Sequence, residues 1–242
     1  MQRYMVTNKE LKLDDTDINH IINVMRMKQN DKFQIVYDNV LYTCNITNIE
    51  KRKVDYEIIK KEEIKSNKTH KVIIACSLIK EQKMDFLLQK ATELGVDGVY
   101  PTYTDNCALA TSVIEKKISK WQRIMLEASK QCERAYIPTC FELTKLENII
   151  NLQNNGYKVI AFCERCTDLS LFDYTQKNPI NIDDKLVVII GPEGGFSQKE
   201  FDLFREHNIP MLTLGELILK ADTAVTVALG NIIYEFNNYR QN

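Results

Sequence analysis

The sequence predicts an α/β protein: a parallel sheet covered by helices, preceded by a small, mostly β unit. Three observations carry this. From residue 71 onward, short apolar runs alternate with helical stripes, the pattern of strands and covering helices in a parallel sheet. The first 65 residues instead hold strand-like runs around a hairpin signal. Glycine is scarce, eight in 242 residues, yet three fall within 191–195, directly after a continuously apolar run. Such uneven use of the most permissive residue points to a built backbone site.

In the N-terminal unit, Ile18, Ile21, Ile22 and Met25 stand at i, i+3, i+4 and i+7, which predicts one amphipathic helix ending near Met27. Residues 32–37 and 41–49 then read as two strands joined by a hairpin turn at Asp38-Asn39. Residues 54–64 give a third strand with a charged outer face. The polar stretch Lys65–His70 marks the expected boundary, so the predicted domains are residues 1–66 and 71–242.

The second region opens with a buried strand at 72–76. Met84, Leu87, Leu88 and Ala91 make a helical stripe that Gly95 closes as a left-handed cap. A strand is expected at 98–101 and a long helix at 113–132. Thr144-Lys145-Leu146-Glu147 reads as a capping box, opening a helix that Gly156 ends. Strands follow at 157–163, 186–190 and 211–214. Ser197-Gln198-Lys199-Glu200 is a second capping box, and the last helix spans 223–236, opening at Asp222 or Thr223 as N-cap.

Composition narrows the function. Thirty-two basic residues against 33 acidic ones leave a net charge of −1, which excludes a polybasic nucleic-acid glue, an acidic tail protein and a disordered chain. The charge is split: residues 1–138 hold 23 basic and 19 acidic side chains (+4), residues 139–242 hold 9 and 14 (−5). No apolar run reaches the ~20 residues that span a bilayer, and Met1-Gln2-Arg3-Tyr4 does not read as a signal peptide. Seven scattered cysteines fit reduced thiols, so a cytoplasmic protein is expected. The three histidines are too dispersed for a metal site, and Cys163-Glu164-Arg165-Cys166 is a lone C-x-x-C without a second pair, so no metal is expected.

The strongest local signal is Ile189-Ile190-Gly191-Pro192-Glu193-Gly194-Gly195-Phe196-Ser197, a strand running through a glycine-rich turn into a capped helix. Ligands of open α/β sheets bind at the carboxyl ends of strands, where such turns admit close approach. A plain tight turn with no ligand is the competing reading. The motif has no Lys after its glycines and no G-x-G-x-x-G spacing, which disfavours a phosphate loop or a dinucleotide site. A ligand without phosphates and with a cationic group, such as S-adenosylmethionine, suits it. Glu193 could face that cation or cap the helix. Leu214–Ala224 is a second signal, whose spacing alone also fits an ordinary connection.

Together these segments resemble the SPOUT class of RNA methyltransferases, and within it the RsmE family, over nearly the whole chain. Gly191–Ser197 with Glu200 is similar to the family signature G-P-E-G-G-[FL]-[ST]-x-x-E, and Leu214–Ala224 to L-G-x-x-I-L-R-x-E-T-A. Lys83-Met84-Asp85, Gln89-Lys90, Glu93-Leu94-Gly95-Val96 and Pro101 resemble a further stretch, as do Trp121, Arg123-Ile124, Glu127-Ala128, Gln131-Cys132 and Arg134. His20, Val24, Arg26 and Met27 resemble a pattern of its PUA-like RNA-binding domain. The chain departs from the pattern at Lys220, where the family has arginine, at Asp222 for glutamate, and at Leu217 for a basic residue.

The resemblance implies a C-terminal trefoil knot, a homodimer and methylation of N3 of a uridine in 16S rRNA, within the small ribosomal subunit. It also implies three loops around S-adenosylmethionine. Phe162, Cys163 and Glu164 would come from the first, Ile190, Gly191, Pro192, Glu193, Gly194 and Gly195 from the second. The third would give Leu214, Gly215, Ile218, Leu219, Lys220, Asp222, Thr223 and Ala224. Lys220 is the expected cationic stabiliser of the uracil anion, with Glu93 and Glu193 as candidates for proton handling. Arg3, His20, Arg26, Lys83, Arg123 and Arg134 are the expected RNA contacts. Lys28, Lys51, Arg52, Lys53, Lys80 and Lys130 are further available cations, each also readable as a solvated charge. Val225, Leu229, Ile232, Ile233 and Phe236 form a stripe for either the dimer interface or core packing. Two rival functions remain: a non-catalytic RNA-binding ribosome assembly factor, and a glycine-loop enzyme using another nucleotide.

Overall fold

A computed structural model describes residues 1–64, 71–108, 114–164 and 169–238. The chain forms two compact units, Met1–Asn67 with Ser129–Ile137, and Lys68–Ala128 with Pro138–Asn242. The boundary expected at Lys65–His70 lies outside the described residues.

The first unit is a four-stranded sheet of order β1-β2-β3-β4, built from β1 (Arg3–Met5), β2 (Lys32–Tyr37), β3 (Val40–Glu50) and β4 (Lys53–Glu63). The hairpin between β2 and β3 turns at Asp38-Asn39, both left-handed (φ 47° and 62°), the geometry of a type I′ turn that matches strand twist. Phe33, Ile35, Cys44 and Ile46 alternate inward and are fully buried, with Tyr4 of β1 and Ile21 against them. The three-residue β1, parallel to β2, carries too few residues to show a pattern in the sequence.

The expected helix at Ile18–Met27 is broken differently. Helix α1 (Asp15–Asn19), capped by Asp14 accepting from the Asp17 amide at 2.7 Å, passes into a π turn over His20–Val24. The Met25 amide donates to the His20 carbonyl at 2.8 Å, an i→i+5 bond. This wider winding takes Met25 out of the stripe and leaves it 45% exposed, while Ile21 stays buried.

The second unit holds a parallel sheet, seven-stranded among the described residues, of order β11-β9-β10-β5-β6-β7, with β8 also pairing β6. Its strands are β5 (Lys71–Ser77), β6 (Gly98–Tyr103), β7 (Thr139–Cys140), β8 (Thr144–Lys145), β9 (Lys158–Phe162), β10 (Lys185–Ile190) and β11 (Met211–Leu212). β10 lies between β9 and β5 and is buried on both faces. Leu186, Val188 and Ile190 pack on one side, Val187 and Ile189 on the other. Each fully buried aliphatic side chain of this kind stabilises the fold by roughly 1.5–3 kcal/mol.

One face is covered by α2 (Glu81–Glu93), α3 (Glu115–Gln131) and α7 (Ala221–Asn238), through Met84, Leu87, Leu88, Trp121, Met125 and Val225 among others. The other face is covered by α4 (Leu146–Ile150) and α6 (Gln198–Glu206), through Ile149, Ile150 and Phe204. Gly95 (φ 96°) follows α2 as the expected left-handed cap, and Gly156 (φ 77°) ends a 3-10 helix, Asn151–Asn155, that continues α4.

Two expectations for this unit are corrected. Thr144 does not cap α4: it belongs to β8, opposite Thr102, and its hydroxyl donates to the Glu142 carbonyl at 2.9 Å. Strand pairing has claimed the residue that the capping pattern needs. The last helix opens at Ala221, with the Lys220 carbonyl accepting its first bond from the Ala224 amide at 2.8 Å, so Asp222 sits in its first turn rather than at its cap. Of the two readings of the last-helix stripe, core packing holds for Val225, Leu229, Ile232 and Phe236, which are wholly buried, with Ile233 partly buried against the same core. Helix α5 (Leu171–Lys177), capped by Ser170, had no predicted counterpart.

Candidate functional site

The parallel sheet brings three loops to one place, the carboxyl ends of β9, β10 and β11. Residues leaving β9 (Phe162, Cys163, Glu164), the glycine turn after β10, and the run from Thr213 to Ala224 enclose a cavity of about 390 Å3. That volume lies within the ordinary range of roughly 300–1,000 Å3 for small-molecule sites. Every residue expected from the first two loops lines it, as do Leu214, Gly215, Ile218, Leu219, Lys220 and Ala224. Asp222 and Thr223 do not: they lie in the first turn of α7, and Thr223 faces solvent. Arg165 and Cys166 of the C-x-x-C lie outside the described residues.

The glycine turn has its shape for local reasons. The Gly195 amide donates to the Pro192 carbonyl at 2.9 Å, and Gly195 is left-handed at φ 70°. At Gly191 a side chain would press on the Phe196 ring, with a Cβ only 3.0 Å from Cε2. The turn then runs into α6 through a complete capping box. Ser197 Oγ accepts from the Glu200 amide at 3.2 Å, and Glu200 Oε2 accepts from the Ser197 amide at 2.8 Å. The cavity wall is thus backbone held from one side by Phe196 and from the other by a cap.

Glu193, in the turn, is ion-paired with Lys83 of α2 at 2.9 Å. Burial pushes its carboxyl up, but the bond from Lys83, its backbone donors and the Lys83 charge outweigh this and hold it below the usual carboxylate range. The bond to Glu193 in turn raises Lys83 above the ordinary lysine value, against desolvation and with help from the charges of Glu193 and Asp222. A carboxylate so held is a weak proton acceptor, and the pair reads as a strut between α2 and the glycine turn. Glu193 thus lines the cavity, as expected, with Lys83 as its ion-pair partner. Glu93, the other candidate, is not among the lining residues, and its carboxylate accepts from Lys90 at 2.8 and 3.0 Å.

Lys220 lines the cavity, is exposed, and makes no ion pair among the described residues. Close to it in sequence, Asp222 keeps a buried carboxylate oxygen, Oδ1, that has no hydrogen-bond partner among the described residues. Sequence reasoning missed five lining residues: Phe196, Phe201, Thr213, Leu217 and Ala221. Phe196 and Leu217 lie inside the segments already singled out. Leu217 is 81% exposed and Ile218 51%, so the third loop holds an apolar rim open to solvent. Phe201, on α6, carries no signal short of the fold.

The expected RNA contacts separate between the units. In the first, Arg3 donates to the Glu133 carbonyl at 3.3 Å, and His20 Nδ1 meets the Tyr4 hydroxyl at 3.0 Å. There too Arg26 is exposed at φ 51°, and Arg134 lies 4.6 Å over the Tyr136 ring. In the second, Arg123 is exposed and Lys83 is committed to Glu193. Among the described residues no cluster of three or more His, Cys, Asp or Glu is placed to hold a metal, and no helix is long and apolar enough to cross a membrane.

Comparison with known proteins places these features in a wider set. The model of the RNA methyltransferase domain matches residues 65–233, and that of the RNA methyltransferase PUA domain matches 13–59. A ribosomal RNA small subunit methyltransferase E of Mesomycoplasma hyopneumoniae is 32% identical over 241 residues, covering 96% of this chain and 99% of the relative. A protein of the same description from Bacillus subtilis is 26% identical over 251 residues, covering 97% of each. Among solved structures, a methyltransferase of Legionella pneumophila in complex with bound SAM is 26% identical with a TM-score of 0.81, covering 95% of this chain and 96% of that one.

Proposed function

This chain belongs to the ribosomal RNA small subunit methyltransferase E family, and from that premise we propose that it transfers a methyl group from S-adenosylmethionine to N3 of a uridine in 16S rRNA. One observation carries the reading: a cavity closed by a glycine turn at the carboxyl ends of parallel strands, in a chain whose Legionella relative was solved with SAM. The fit is physical as well. The cavity is of small-molecule size, its wall at 191–195 is glycine-rich, and Glu164 brings to it a carboxylate suited to a cationic ligand.

When bound, the cofactor supplies an electrophilic methyl group on a sulfonium sulfur. The protein's task is to bring uracil N3 into line with it and to stabilise the charge that uracil gains on losing the N3 proton. The N3 proton passes to solvent, and the N3–methyl bond forms as the sulfur–methyl bond breaks, leaving S-adenosylhomocysteine and N3-methyluridine. Lys220, at the cavity and without an ion-pair partner among the described residues, is the group assigned to hold the uracil charge. It does so as a point charge rather than the planar fork of an arginine. Phe162, Ile190, Leu214 and Leu219 exclude water from the wall. Arg3, His20, Arg26, Arg123 and Arg134 are assigned to RNA, with Lys83 left to its strut.

The family also carries the C-terminal trefoil knot, the homodimer and a cytoplasmic, small-subunit setting into the proposal. The test is methyl transfer. Small ribosomal subunits from a strain lacking its own enzyme are incubated with protein and labelled S-adenosylmethionine, then digested to nucleosides. Label in 3-methyluridine is expected. Label in another nucleoside overturns the N3 assignment, and no label with cofactor still bound favours the assembly factor.

A further inference from the structure

The loop after β6 is bonded to the glycine turn at several points that the reaction itself does not require. Asn106 Nδ2 donates to the Gly195 carbonyl at 3.0 Å and reaches the Gly194 carbonyl at 3.4 Å. A Cβ on Gly194 would sit 3.0 Å from the Asn106 Cβ, so the turn is pressed against this residue. Asp105 ties down the next residues. Its amide donates to the buried Glu200 at 2.9 Å, and its carboxylate accepts from Ser197 Oγ at 2.6 Å. The loop is itself preformed: the Thr104 amide meets Cys107 Sγ at 3.1 Å, and the Cys107 amide donates to the Thr104 carbonyl at 3.2 Å.

We infer that Asn106, seated by Asp105, is a positioning residue for the cofactor turn. It fixes the carbonyl directions of Gly194 and Gly195 and so the wall that the cofactor meets. Glycine is flexible, and the left-handed Gly195 has no side chain of its own to hold it. A turn that must be smooth for the ligand therefore takes its rigidity from a neighbouring loop. Ligand binding to a preorganised wall loses less affinity to ordering than binding to a mobile one. The role is separate from the chemistry: Asn106 is not among the residues lining the cavity.

The inference rests on the S-adenosylmethionine reading, and the experiment separates the two. Titration calorimetry with S-adenosylmethionine is run on the full-length wild type, Asn106→Ala and Asn106→Asp, alongside steady-state methyl transfer. Asn106→Ala keeps the Cβ on which Gly194 packs but removes the donor. Asn106→Asp is isosteric, yet sets a carboxylate against two carbonyl oxygens. Both are expected to raise Kd and KM for the cofactor, Ala by about fivefold to tenfold, as befits loss of one or two bonds, and Asp by at least as much. kcat at saturating cofactor, KM for RNA and melting temperature are expected to stay near wild type. If Asp binds the cofactor as tightly as wild type, donation from Asn106 is irrelevant and the inference fails. An equal fall in kcat and melting temperature without a change in cofactor Kd overturns it as well. A wild type that binds no cofactor instead overturns the reading on which it rests.

Discussion

Replacing Gly191 by alanine tests whether the glycine turn is held by packing as the structure indicates. The backbone there tolerates an L residue, since Gly191 is not among the left-handed glycines. The obstacle is steric. An added Cβ would lie 3.0, 3.2 and 3.3 Å from Cε2, Cζ and Cδ2 of Phe196, against a relaxed carbon–carbon separation of about 3.5–4.0 Å. The ring would have to retreat by several tenths of an ångström. It cannot do so freely: Phe204 meets it edge-on at 5.0 Å between centroids and Phe201 at 6.0 Å, and Phe204 is wholly buried. Overpacking of this kind costs about 1–3 kcal/mol. For a unit of this size that corresponds to a fall in melting temperature of roughly 2–12 °C.

Because Gly191 also lines the cavity, cofactor affinity should fall with stability. Thermal unfolding by circular dichroism and titration calorimetry give the two readouts. A second substitution sharpens the argument. Phe196→Leu destabilises the wild type, but in the Gly191→Ala background it removes the clashing atoms and should cost much less, a coupling that a double-mutant cycle measures. If Gly191→Ala melts and binds like wild type, or if the two changes are simply additive, the account of the turn is wrong.

Three further outcomes are expected. Ser197→Ala removes one arm of the capping box and the bond to Asp105, and should lower stability by about 1 kcal/mol in urea unfolding while leaving the fold intact. Glu193→Gln tests the strut by its pH dependence. The folded carboxyl lies below its ordinary value of 4.5, so its contribution is full above pH 4.5 and is lost as pH falls through the folded value. The stability gap between wild type and variant should therefore be constant near neutrality and close in acid. Lys220→Ala should bind S-adenosylmethionine nearly as wild type yet transfer methyl at a rate lower by at least about tenfold, in line with loss of a charge-stabilising group. Full-rate transfer would remove Lys220 from the chemistry.

Much of this fold is written in short-range pattern. Asp38-Asn39 names its turn because few residue pairs accept two left-handed positions in succession, and the structure has both. The stripe Met84, Leu87, Leu88 and Ala91 is fully buried because a thirteen-residue helix keeps its period. Ser197 and Glu200 form their box even while each also bonds Asp105, because those bonds leave both capping bonds in place. Where the reading fails, a competitor exists. Thr144 carries the same capping pattern but pairs with β6 instead. Met25 leaves its stripe because one π turn changes the period. Strands of two or three residues, such as β1 and β7, are set by their partners and have no period to read.

The site divides in the same way. Its backbone walls are contiguous runs at strand ends, but only Gly191–Gly195 stands out by local composition, and the run Leu214–Ala224 entered the site through the family resemblance. What joins distant segments was not legible. The pairing of Glu193 with Lys83, 110 residues apart, gives Glu193 a partner that spacing does not show. The bond from Asn106 to Gly195 spans 89 positions and leaves no trace in spacing. The ion pair of Glu93 with Lys90, by contrast, spans only three residues of one helix.

The central claim is that the cavity between Phe162, Gly191 and Leu219 is the S-adenosylmethionine site of a ribosomal RNA methyltransferase. Calorimetric titration of the wild-type protein with S-adenosylmethionine tests it most directly. The account predicts saturable binding at one site per protomer, weakened by Gly191→Ala. No heat at millimolar ligand, or binding untouched by that substitution, would contradict it.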